Sequence, residues 1–73
     1  IIAGDEDDPV LDIALSIKRW MPAAGLQVVP KTGHAVNLEE PEIFNRAMRD
    51  FLSAVERGRW MPRDPRAKPH RSA

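Results

Sequence analysis

Asp7 and His34 are the two side chains of this sequence whose types and placement allow them to do chemistry together. An imidazole changes its protonation state near neutral pH, and a carboxylate bonded to one of its nitrogens fixes the tautomer and stabilises the protonated form. They stand 27 positions apart, each just beyond a short apolar run, Ile1-Ile2-Ala3-Gly4 and Leu26-Gln27-Val28-Val29-Pro30. Both runs read as buried strands. Open parallel sheets gather functional loops at the carboxyl ends of their strands, so an acid and a base are expected side by side there. A nucleophile is missing from the same place. Cysteine is absent, Ser16 and Ser53 fall in predicted helices, and Ser72 lies near the end of the chain.

The elements that must position the pair follow from periodicity. Asp12 is suited to cap a helix over residues 12–21, with Val10, Ile13, Ile17, Trp20 and Met21 as one apolar stripe and Pro22 and Gly25 as its stop. Strand, helix and strand in 30 residues imply a β-α-β unit with parallel strands. After the loop Lys31-Thr32-Gly33-His34-Ala35, the acidic residues around Pro41 open a second helix. Phe44, Met48, Phe51 and Val55, supported by Ala47 and Leu52, predict a core-facing stripe that ends at Gly58. The fold class is therefore α/β, a parallel sheet flanked by helices in the order β-α-β-α. Two strands leave a sheet largely uncovered, and Ile1 opens in the middle of an apolar run, so the chain is expected to be the carboxyl-terminal part of a longer one.

Charge narrows the function. Eleven basic and eleven acidic residues cancel over the 73 residues, but residues 1–58 carry a net −4 and residues 59–73 a net +4. The first span reads as the folded portion and the second as a basic, proline-containing tail, with Trp60 and Met61 available to dock. No global field favours nucleic acid, and no run is long and apolar enough to cross a membrane, so neither partner is expected. The cytoplasm is the default location. The acidic run Asp5-Glu6-Asp7-Asp8 lacks the spacing, glycine and terminal glutamate of a calcium loop, so no metal site is assigned, nor any cofactor.

Gly4-Asp5-Glu6-Asp7 after an apolar strand, then Gly33-His34 followed by Glu39, Pro41 and Phe44, resembles the carboxyl-terminal third of the α/β-hydrolase fold. The resemblance covers roughly residues 1–60. It implies that Asp7 is the triad acid, with Asp8 its nearest rival, and that His34 is the general base. Asp5 and Glu6 are left as surface charges. The family's nucleophile elbow, Gly-x-Ser-x-Gly, does not occur in this sequence. The resemblance implies a hydrolase of small apolar, ester-like substrates whose nucleophile lies upstream, the rest of that chain being this segment's partner. The competing expectation is a binding or interaction module without catalysis, on the same scaffold or self-associated through its strand edges.

Overall fold

The computed structural model describes residues 1–67 and has an α/β arrangement. Strand β1 (Ile2–Gly4) leads into helix α1 (Asp8–Trp20), and strand β2 (Gln27–Val29) returns parallel to β1. Ile2, Ala3 and Gly4 pair in register with Gln27, Val28 and Val29. Helix α2 (Val36–Glu39) and helix α3 (Pro41–Glu56) follow, and Pro65–Ala67 form one 3₁₀ turn. Of the basic tail, residues 68–73 lie outside the described residues.

Helix α1 starts four residues earlier than the Asp12 cap predicts. Pro9 falls in its first turn, where the missing N–H costs nothing because that position has no intrahelical acceptor. Asp7 takes the cap position, yet its side chain makes no capping bond. The stop is as expected: Met21, held extended by the following Pro22, ends the helix, and Lys18 and Arg19 place positive charge in its last turn. Strand β2 is correspondingly shorter than the 26–30 run.

The face of α1 turned to the sheet is also rotated from the expected stripe. Ala14 is buried and Val10 and Leu11 half-buried, because the small alanine lets the helix approach β1 closely. Ile13, Ile17 and Met21 of that stripe stand exposed, with Trp20 87% exposed. The buried core is small: Ala3, Ala14, Val29 and Val36, together with the wholly buried Thr32.

Helix α3 carries the expected apolar stripe but buries none of it fully. Met48, Phe51, Leu52 and Val55 are exposed, contrary to a core assignment, because two three-residue strands offer no surface wide enough to receive them. An open groove of about 580 Å³ lies between Met48 and Phe51 of α3 and the strand starts at Ile2 and Gln27. The helix ends as its sequence predicts. Gly58 adopts φ +67°, and the Gly58 and Arg59 amides donate to Val55 and Ala54, the paired bonds of a Schellman stop.

Beyond that stop the chain folds back. The Trp60 indole packs edge-on to Phe51 with ring centres 4.7 Å apart, and its Nε1 donates to the Ala23 carbonyl. Gly25 accommodates the ring: a Cβ there would sit 2.6 Å from the indole. The Arg63 amide donates to Pro22. Asp64, on the surface, is held below the usual carboxylate range by bonds from the Arg66 side chain and amide, and Arg66 is raised in turn.

The tightest approach in the fold is at Gly4. A Cβ there would lie 2.6 Å from the Thr32 carbonyl carbon and closer still to the carbonyl oxygens of Thr32 and Gly33. Gly4→Ala is expected to destabilise the protein by about 3 kcal/mol, since backbone rather than a flexible side chain must move. Gly58→Ala, in open space, is expected to cost about 1 kcal/mol from its left-handed φ alone. Urea unfolding compares the two, and equal losses would contradict the role of the close approach.

Candidate functional site

The loops that follow β1 and β2 are fastened to one another by their backbones. The Asp5 amide donates to Val29 at 2.9 Å and the Glu6 amide to Thr32 at 3.0 Å, so the pairing of the strands continues past their ends. Thr32, buried between the loops, is satisfied by its own Oγ1 donating to Pro30 at 2.9 Å. Asp5 adds a side-chain clamp, its Oδ1 accepting the Lys31 amide at 2.7 Å. Lys31 has φ +55°, a left-handed turn that a non-glycine residue holds only where its surroundings require it. The exposed Lys31 Nζ lies 3.7 Å from Glu6, a pair of little energetic weight.

These fastenings bring Asp7 and His34 together. The Asp7 amide turns back to Gly4 at 3.2 Å, and its carbonyl receives the first amides of α1 from Val10 and Leu11. The side chain is thus left to face the other loop. Its Oδ2 lies 2.8 Å from Nδ1 of His34. The carboxylate is nearly covered, 13% exposed, whereas the imidazole is 84% exposed. A carboxylate accepting from Nδ1–H leaves the lone pair on Nε2, which has no hydrogen-bond partner among the described residues. Such an imidazole can take a proton at Nε2 while its new charge is balanced at Nδ1.

Asp8 lies in the first turn of α1, where its charge suits the helix dipole, and makes no bond to His34. Ser16 and Ser53 sit within α1 and α3. Among the described residues no cluster of three or more His, Asp or Glu is arranged to hold a metal ion, and no helix is long and apolar enough to cross a membrane.

Two residues have positions that differ from their expected roles as plain charges. Asp5 clamps the second loop, and Glu39 accepts the Gly33 amide at 3.3 and 3.2 Å through its two oxygens. Glu39 can reach because Val36–Glu39 forms a separate turn of helix before α3, where the sequence suggested only acidic residues preceding one helix. The signal available beforehand was the glycine at 33, whose missing side chain leaves room for the carboxylate.

Over 55 residues the chain is 29% identical to a protein of Bacillus subtilis (strain 168) named "Putative 2-succinyl-6-hydroxy-2,4-cyclohexadiene-1-carboxylate synthase". The matched stretch is 75% of this chain and 20% of that relative, so the chain spans about one fifth of its length. No family model matches the chain and no solved structure does. The match is compatible with a hydrolase-like fold.

The Asp5 clamp gives a direct expectation. Asp5→Ala should cost about 1 kcal/mol and raise amide exchange at Lys31, because that N–H loses a charged acceptor. Asp5→Asn, which keeps an acceptor oxygen, should cost less. Unchanged exchange at Lys31 in the alanine variant would show that the left-handed turn is held by something else.

Proposed function

We propose that this chain is the carboxyl-terminal part of an α/β-hydrolase-fold enzyme that cleaves small, apolar carboxylic esters, with His34 as general base and Asp7 as the acid that orients it. The observation that carries this reading is the 2.8 Å contact between Asp7 Oδ2 and His34 Nδ1, with Nε2 turned outward. The name of the Bacillus relative is that of a synthase, so the reaction class rests on this chemistry and not on the relative.

In this reading a nucleophilic hydroxyl on an upstream segment attacks the acyl carbon of the ester. Its proton passes to Nε2 of His34, and the imidazolium is stabilised by the Asp7 carboxylate through Nδ1–H. His34 then returns the proton to the departing alcohol. Water attacks the acyl-enzyme, again giving its proton to Nε2, and the acid product leaves as the nucleophile regains its hydrogen. The exposed stripes of α1 and α3 and the open groove beside the strand starts would be covered by the rest of that chain, or by a second copy where the segment stands alone.

The test is on the intact protein with chromogenic short-chain esters. His34→Ala and Asp7→Asn are each expected to lower kcat/KM by about 10³-fold or more, and Asp8→Asn by less than about threefold. The thermal midpoint should hardly move in the His34 variant, because the ring is exposed and leaves no cavity. Unchanged turnover in His34→Ala would overturn the catalytic reading and favour a non-catalytic binding module.

A further inference from the structure

Packing does not hold the His34 ring. It is 84% exposed, and Asp7 is its one hydrogen-bond partner among the described residues. A single hydrogen bond at an exposed ring contributes about 1 kcal/mol, comparable to the side-chain freedom it must restrict. The alignment of His34 on Asp7 therefore depends on how firmly the backbone presents the residue.

That backbone is fixed from both sides. Before His34, the Gly33 amide donates to both oxygens of Glu39. After it, the Ala35 carbonyl accepts the amides of Leu38 and Glu39 at 3.0 and 2.9 Å, and Val36 is buried. The contact from Gly33 to Glu39 closes a ring of backbone and side chain with His34 inside it. Gly33 is matched to this closure, since a Cβ would lie 3.0 Å from Glu39 Oε2.

We propose that Glu39 is a positioning residue for His34: by holding the Gly33 amide it keeps the loop in the one conformation that presents Nδ1 to Asp7. The catalytic consequence rests on the function proposed above, whereas the positioning itself does not. Among the described residues Glu39 makes no hydrogen bond to the imidazole or to Asp7, and its effect passes through the main chain.

The experiment follows His34 by ¹⁵N NMR in the intact protein, together with amide exchange at Gly33. Nδ1 of His34 is expected to carry the proton in the unsubstituted protein, and the Gly33 amide to exchange roughly tenfold more slowly than an open amide. Glu39→Ala should remove that tautomer preference and the Gly33 protection together, with the unfolding midpoint largely kept. Glu39→Gln, whose amide oxygen still accepts from Gly33, should retain both. An unprotected Gly33 amide in the unsubstituted protein overturns the proposal without recourse to any variant. So does a Glu39→Ala protein that keeps the His34 tautomer. Neither readout involves turnover, so a failed ester-hydrolysis reading and a failed positioning role are told apart.

Discussion

Where β1 ends, the backbone of the second loop occupies the space in which residue 4 would carry a side chain. The carbonyls of Thr32 and Gly33 lie against the Cα of Gly4, and from that approach the rest of the site follows. With the loops this close, the Glu6 amide reaches Thr32 and Asp5 reaches the Lys31 amide, so the two loops are bonded directly to one another. Asp7 is then carried to the cap position of α1 with its carboxylate facing His34 and not its own helix. A helix cap and an acid for an imidazole are competing uses of one carboxylate, and here the backbone of Asp7 serves the helix while its side chain serves the histidine.

Away from this junction the molecule is incompletely covered. Ala14 and Val29 form a narrow core, whereas the apolar sides of α1 and α3 remain open to solvent. Trp60 partly compensates by packing on Phe51 and bonding to Ala23, which ties the end of α3 to the loop between α1 and β2. A sheet of two short strands cannot bury two amphipathic helices, since each helix needs a stripe of facing side chains along several turns. The Asp7–His34 pair sits on the part that is well fastened.

Features governed by neighbouring residues were legible in the sequence. Helix α3 and its left-handed stop at Gly58 follow from four-residue spacing and one glycine, and Pro22 ends α1 because it constrains Met21 directly. The approach of Asp7 to His34 was legible for a topological reason: parallel strands joined by a helix put their carboxyl ends side by side. The features that escaped depend on partners distant in sequence or on a choice between local rules. Pro9 satisfies both a break and a first turn, and only the packing of Ala14 on β1 decides between them. Trp60 meets Ala23 across 37 residues with no local pattern to announce it. Glu39 reads as a helix-terminus charge until the turn Val36–Glu39 points it back to Gly33.

In the proposed reaction Asp7 acts only through His34 and has no separate part. A double-mutant cycle on ester hydrolysis by the intact protein measures this directly, because residues acting as a unit are strongly non-additive. Adding Asp7→Asn to a protein that already lacks the His34 imidazole is predicted to leave the residual kcat/KM unchanged within about twofold. A double variant slower than His34→Ala by the full factor that Asp7→Asn causes alone would contradict the account, since the two side chains would then contribute independently.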